Sequence, residues 1–145
     1  MADSTLNVTI TEDISLNGHQ AGSSTTKAFI DINEFSRRTV SVTTSLATFL
    51  TTGTVVAAAQ YVKTNLRYIR VTNLDPTNYI QVGFIDTSGA AAYFKVGARE
   101  SFLIHNDDIE AFTDGSNWSA FSEWDTLSMM ANTATCDVEL VVAST

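Results

Sequence analysis

The chain has 145 residues, a mass of 15.7 kDa and a net charge of −8, and only 17% of its residues are charged. Because it is acidic and lacks a basic stripe with interleaved aromatics, we expect no direct nucleic-acid binding. A single cysteine, Cys136, excludes an intrachain disulfide and a multi-cysteine zinc site, and no apolar run or leader pattern predicts membrane insertion or export.

Apolar residues alternate along the first segment, at positions 6, 8, 10, 14 and 16. This period of two predicts one long strand, or two strands with a bulge, with the apolar face toward the core. Asn17-Gly18 follows, a pair that favours a tight turn because both residues accept positive φ. The next stretch, GHQAGSSTT, is rich in Ser, Thr and Gly and predicts a loop.

Two further segments, KAFIDINEF and RRTVSVTTSLATFL, predict strands, with Val40, Val42 and Leu46 on one face. TVVAAAQYVKTNLRY is compatible with a helix through its alanines, but we expect strand or loop there. Beyond it, RVTNLDPTNYIQVGF holds two alternating runs around Asp75-Pro76, a pair that favours a turn. This segment predicts a hairpin with the proline at its tip.

The rest of the chain also favours short strands: AYFKV, ESFLIH, IEAFTD, TLSMMA and CDVELVVA. In the last of these, residues 136, 138, 140 and 142 should face the core. Ser and Thr make up roughly a quarter of the chain, and such residues, together with Val, Ile and aromatics, favour strands over helices. We therefore expect an all-β protein, an antiparallel β-sandwich of jelly-roll type, with residues 1–145 forming a single domain.

No sequence pattern indicates catalysis. Phosphate-binding loops, paired-histidine metal motifs and nucleophile motifs are absent from the sequence. His19 and His105 would have to converge with a carboxylate to form a site, and Cys136 lies on an apolar strand face that favours a core position. We therefore expect no enzyme activity, no catalytic residue and no cofactor.

Two groups of residues are candidates for ligand binding. Asp107, Asp108, Glu110 and Asp114 could offer calcium its preferred oxygen ligands, although their spacing is not that of an EF-hand and a solvated acidic rim is the simpler interpretation. Trp118 and Trp124 could stack on sugar rings, or could anchor loops in the core.

Charge is divided unevenly along the chain. Residues up to Arg99 include eight basic and seven acidic side chains, whereas the remaining residues include nine acidic and no basic ones. Arg67 and Arg70, with neighbouring basic residues, could therefore pair with the acidic third of another subunit. Scattered surface charge is the alternative.

Five segments together resemble small virion proteins of tailed bacteriophages, especially those of marine and cyanobacterial hosts: VTITEDISLNG, INEFSRRTVSV, RYIRVTNLDPTNYIQVGF, YFKVGARESFLIHN and DVELVVAST. The resemblance implies a β-sandwich component of the particle. A capsid decoration or cement protein fits the size; a minor tail or neck component is a second option.

The resemblance also implies partners and a location. We expect the major capsid protein as a partner and a place on the capsid surface after synthesis in the host cytoplasm. The uneven division of charge along the chain adds the expectation of further copies of the chain as partners, in a homotrimer. The alternative from another class is a carbohydrate-binding β-sandwich module for host-surface adhesion, with Trp118 and Trp124 as its glycan platform.

Overall fold

The computed structural model describes residues 4–107, 109 and 124–145. These residues form eleven strands and one 3₁₀ turn at Lys63–Asn65, so the expected all-β class is confirmed. The strands are β1 (Leu6–Leu16), β2 (His19–Phe29), β3 (Glu34–Val42), β4 (Ala47–Gly53), β5 (Tyr61–Val62), β6 (Leu66–Asn73), β7 (Ile80–Asp86), β8 (Ala91–Val96), β9 (Ser101–His105), β10 (Trp124–Ala131) and β11 (Cys136–Ser144).

Two sheets form a sandwich, and a third, two-stranded sheet lies outside it. The larger sheet has the order β5-β4-β10-β7-β8, and the smaller one has the order β3-β11-β6-β9. The third sheet contains only β1 and β2. Among the described residues every pairing is antiparallel except β4 with β5.

The winding of the two main sheets is that of a jelly roll. β3 pairs with β11 in the smaller sheet, and β4, the strand after β3, pairs with β10 in the larger sheet. The segments β3–β4 and β10–β11 therefore run antiparallel to each other and pass together from one sheet to the other. β6 and β7 pair in the same manner with β9 and β8. β11 then pairs with β6, and β10 with β7, which closes each sheet. The expected sandwich of jelly-roll type is therefore present.

The main core lies between the two sheets and is built from alternating residues of their facing sides. β11 contributes Cys136, Val138, Leu140 and Val142, all of them buried, as the alternation in the sequence predicted. β7 contributes Ile80, Val82 and Phe84 from the opposite sheet. Burying such side chains contributes about 1.5–3 kcal/mol each, so this layer is the main source of stability.

The hairpin predicted around Asp75-Pro76 is wrong in its pairing. The turn forms, because Asp75 Oδ1 accepts hydrogen bonds from the backbone N–H groups of Thr77 (2.8 Å) and Asn78 (2.6 Å). However, it joins β6 in one sheet to β7 in the other. The physical reason is that both strands pair with segments distant in sequence, and alternation does not specify a partner.

Asn73, fully buried at the end of β6, holds this crossing in place. Its Nδ2 donates to the backbone oxygens of Asn78 (2.8 Å) and Gly97 (3.0 Å), and its Oδ1 accepts from the N–H of Asp75 (3.1 Å). A buried amide with these partners satisfies backbone groups that would otherwise be left without hydrogen bonds as the chain changes sheets.

The structure contradicts one further local prediction and confirms another. The loop predicted for GHQAGSSTT is wrong, because residues 19–29 form β2, which pairs along its whole length with β1. The alanine-rich segment contains no α-helix; β5 and the 3₁₀ turn lie there, as expected. The strand predicted over IEAFTD lies outside the described residues except for Ile109, which is buried.

Candidate interaction surface

The β1–β2 sheet, called here the ribbon (residues 6–29), is an antiparallel hairpin in unbroken register from Leu6 opposite Phe29 to Leu16 opposite His19. Asn17 and Gly18 make its turn with φ of 51° and 80°, the left-handed values that the sequence predicted. Each strand has eleven residues, so the ribbon is roughly 35 Å long at about 3.3 Å per residue.

The base of the ribbon packs on the outer face of the smaller sheet. Val8 and Phe29 form a second buried cluster there with Tyr68, Val141 and Ala143. Phe29 also meets the ring of His105 edge-on, with centroids 6.2 Å apart. The ribbon is therefore fixed to the sandwich at its base, through the apolar face that β1 presents.

Farther along, the same face of β1 is exposed, and the prediction that all of its apolar residues face the core is wrong. Ile10 is 40% exposed, Ile14 57% and Leu16 67%, and no described strand covers them. The reason lies in β2, whose residues opposite them are Thr25, Ala21 and His19 rather than large apolar side chains. The outer part of the ribbon thus has a largely apolar face, interrupted by the hydrogen-bonded pair Glu12 and Ser23, with nothing folded over it in the described chain.

The other face of the ribbon is polar and is held by side-chain hydrogen bonds across the strands. The hydroxyls of Thr9 and Thr26 lie 2.8 Å apart, and those of Thr11 and Ser24 lie 3.2 Å apart. Threonine pairs of this kind stabilise antiparallel strands by a few tenths of a kcal/mol up to about 1 kcal/mol. The ribbon is consequently two-sided, with one face suited to water and the other suited to a covering surface.

Beside the base of the ribbon lies an open depression of about 300 Å³, called here the arginine groove. Its apolar lining includes Val8, Phe35, Tyr68 and Val141, and Arg37 and Arg70 line it as well. Phe35 is 59% exposed at the free edge strand β3. The groove therefore combines apolar surface with positive charge.

Glu139 joins the two arginines of the groove. Its carboxylate accepts a hydrogen bond from Arg37 Nε (2.8 Å) and another from Arg70. The Arg37 hydrogen bond, with the charges of both guanidiniums, lowers the pKa of Glu139 below its ordinary value. Two cations and one anion leave the group with a net charge of +1.

Arg70 therefore has an ion-pair partner within its own chain. In the described residues, basic side chains of the first part of the sequence pair with acidic side chains of the last part. Four ion pairs lie within the described residues, and each joins a basic residue before position 100 to an acid after it. They are Lys27 with Asp107, Arg37 with Glu139, Lys63 with Asp125, and Arg70 with Glu139. Arg67 donates to the backbone oxygens of Thr64 (2.7 Å) and Leu66 (3.1 Å).

The two tryptophans predicted as a glycan platform are not brought together by the described structure. Trp124 is 2% exposed, and its indole meets Phe84 edge-on at 5.0 Å in the core between the sheets. It presents no free ring face for a sugar. Trp118 lies outside the described residues.

The predicted calcium ligands are mostly beyond the described part of the chain. Asp108, Glu110 and Asp114 fall outside it, while Asp107 is exposed and bonds to Lys27 at 2.8 Å. In residues 4–107, 109 and 124–145, no cluster of three or more His, Cys, Asp or Glu residues could hold a metal ion.

The residues considered for catalysis lie in different parts of the fold. His19 is exposed at the start of β2, and His105 ends β9 against Phe29. Cys136 is buried in the core, where desolvation raises the pKa of its thiol above the ordinary value. A raised pKa keeps the sulfur protonated at neutral pH, as suits the core residue that the sequence predicted.

Another open depression, of about 640 Å³, lies between β4 and the loop before β5. It is lined by Glu34, Arg38, Phe49, Gln60 and Tyr61, among others. Arg38 donates to the backbone oxygen of Phe49, so its guanidinium already has a structural partner.

No helix in the described part of the chain is long and apolar enough to cross a membrane. No protein-family model matches the chain, and searches of curated proteins and of solved structures find no match either.

Proposed function

We propose that the chain is a structural protein of a tailed-bacteriophage virion, a decoration or cement protein that binds the major capsid protein at the capsid surface. Two lines support the proposal. One is the resemblance of the five quoted segments to phage virion proteins. The other, which carries it, is the exposed apolar face of the ribbon.

The ribbon argues for assembly on physical grounds. An isolated two-stranded hairpin is marginally stable in water, and a third strand or a packed surface is needed to stabilise it. Exposed apolar surface that continues from a packed base is typical of an interaction site. Covering Ile10, Ile14 and Leu16, each 40% exposed or more, would contribute about 1–2 kcal/mol apiece.

Among the other functions, a tail or neck position uses the same surface and differs in copy number. The carbohydrate-binding module is less well supported, because Trp124 is in the core. The proposed protein therefore works by burying its ribbon against other subunits, in the homotrimeric state expected of it and on the shell.

The test is incorporation into particles. Virions of the phage that encodes the chain are purified, and its copies per particle are counted by mass spectrometry against the major capsid protein. We expect copy numbers comparable with those of the capsid protein. A few copies per particle would indicate a tail or neck component, and absence from particles would contradict a virion role.

Two variants supplied during infection connect that test to the ribbon. Ile14→Ser with Leu16→Ser should reduce incorporation about tenfold or more, since the loss of two buried side chains costs about 2 kcal/mol or more. Val56→Ser is the matched control, because Val56 is 88% exposed and lies outside the ribbon. Equal incorporation of both variants into particles would show that the ribbon takes no part in assembly.

A further inference from the structure

We propose that the outer part of the ribbon of one subunit binds the arginine groove of a second copy of this chain. The inference deepens the proposed function and rests on it, because it takes the ribbon as an assembly surface and names the partner of its outer part.

The chemistry of the two surfaces is complementary. The outer ribbon offers Ile14 and Leu16 together with the carboxylate of Glu12, which lies on the same face of β1. The groove offers Phe35 as an exposed apolar wall and a net charge of +1 from Arg37, Arg70 and Glu139. Arg37, with its side chain 65% exposed, can donate hydrogen bonds to a second carboxylate while it holds Glu139.

The ribbon cannot fill its own groove. The groove lies against residues 6–9 at the ribbon's base, and the register of β1 with β2 has no break at which the tip could fold back. Leu16 is about seven or more residues farther along the strand, roughly 25 Å away at about 3.3 Å per residue. An outer ribbon that occupies the groove therefore comes from another copy of the chain.

The contact is continuous with one that the protein already makes. The face of β1 that carries Ile14 and Leu16 also carries Val8, which packs on Tyr68 and Val141 of the smaller sheet. In the proposed contact, the outer ribbon of a neighbour extends that packing over the exposed remainder of the same sheet face. Each subunit gives one ribbon and receives another, an arrangement that closes into a ring when its rotation permits.

A complementation experiment tests the contact. The ribbon variant carries Ile14→Ser and Leu16→Ser, and the groove variant carries Phe35→Ser and Arg37→Glu. By light scattering after gel filtration, the wild-type chain should be oligomeric and each variant alone monomeric. Mixed in equal amounts, the two variants should form a heterodimer, since one retains an intact groove and the other an intact ribbon.

Several results would overturn the inference. They are a wild-type chain that remains monomeric at the highest soluble concentration, variants that oligomerise like the wild type, and a mixture that stays monomeric. Far-UV circular dichroism and the midpoint of thermal unfolding establish that each variant is folded, as expected for exposed positions. Val56→Ser, outside both surfaces, should oligomerise like the wild type.

A charge exchange tests the orientation. Glu12→Lys should weaken self-association about threefold to tenfold at low salt and less at high salt, because the proposed pair is screened by ions. Glu12→Lys combined with Arg37→Glu should recover most of the loss. No recovery would overturn the pairing of these side chains.

Failure here differs from failure of the proposed function. If the ribbon variant is lost from particles while the wild-type chain is monomeric, the self-contact is wrong and the virion role stands. If the variants complement in solution but the wild-type chain is absent from particles, the virion role is wrong and the self-contact stands.

Discussion

β11 and β1 carry the same kind of pattern but have different surroundings. In β11, alternate residues from Cys136 to Val142 are sealed between two sheets. In β1, the alternating residues from Ile10 to Leu16 lie on a ribbon with no described strand over them. The difference shows that period-two alternation identifies a face to be covered, and that topology decides whether the chain covers it by itself.

The largest effect should come from matched leucine truncations on these two strands. Leu140→Ala, in the core, should lower the free energy of unfolding by about 2–5 kcal/mol, because it removes a buried side chain and leaves a cavity. Leu16→Ala, on the ribbon, should change it by less than about 0.5 kcal/mol in dilute solution. Urea denaturation of both variants measures the difference, and equal losses would break the comparison.

A smaller effect is expected for asparagines in the same two regions. Asn73→Ala should cost about 1–3 kcal/mol, because it leaves buried backbone groups at the sheet crossing without partners. Asn7→Ala, at an exposed position of the ribbon, should cost less than about 0.5 kcal/mol. Thermal unfolding of the dilute chain distinguishes the two variants. A midpoint for Asn73→Ala equal to that of the wild type would show that the hydrogen bonds of Asn73 do not stabilise the crossing between the sheets.

Acid should weaken the sandwich. Backbone hydrogen bonds from Asn78 and Thr77 lower the pKa of Asp75, and the side-chain hydrogen bond from Ser88 lowers that of Asp86. A carboxyl whose pKa is lower in the folded state binds fewer protons than in the unfolded state. The contribution of such a carboxyl to the free energy of unfolding is present at pH 7. It is lost as the pH falls from about 5 through the pKa of the carboxyl in the folded state.

Asp75→Asn removes one of these titrating groups and keeps an oxygen that can accept both hydrogen bonds. The free energy of unfolding should therefore fall less steeply with acid in the variant than in the wild type, measured by urea denaturation from pH 7 to pH 3. If the free energies of unfolding of the variant and the wild type fall in parallel with pH, the titration of Asp75 does not contribute to the acid sensitivity.

The smallest effect concerns the polar face of the ribbon. Thr11→Val breaks the exposed hydroxyl pair with Ser24 and should change stability by less than about 0.5 kcal/mol. Because Thr11 lies on the opposite face from Ile14 and outside the arginine groove, self-association should stay at the wild-type level by analytical ultracentrifugation. A loss of association would mean that the polar face, and not the apolar one, is covered.

Much of the fold was predictable from the sequence, because strands and turns depend on local chemistry. Alternation located β11 and its buried face, Asn17-Gly18 located a turn with left-handed residues, and Asp75 located another. Pairing was not predictable in the same way, since β6 and β7 flank the Asp75 turn yet join different sheets. Non-local pairing depends on the summed fit of distant strands, which no short segment contains.

The ribbon was the chief feature missed. Most of its second strand has little hydrophobic pattern, so GHQAGSSTT predicted a loop although Ser and Thr pair well across antiparallel strands. The signal was present in β1, where five alternating apolar residues had no equally apolar neighbour in sequence. The arginine groove was not predictable either, because Arg37, Arg70 and Glu139 meet only through the pairing of β3, β11 and β6.

Hydrogen–deuterium exchange, followed by mass spectrometry, tests the central claim that the sandwich is stable by itself and the ribbon is completed by a partner. In dilute protein, amides of residues 10–25 should exchange at least tenfold faster than those of β6 and β11, and they should slow by at least tenfold when the chain is concentrated or bound to particles. Ribbon amides as protected as β11 in dilute protein, or unprotected in every state, would contradict the account.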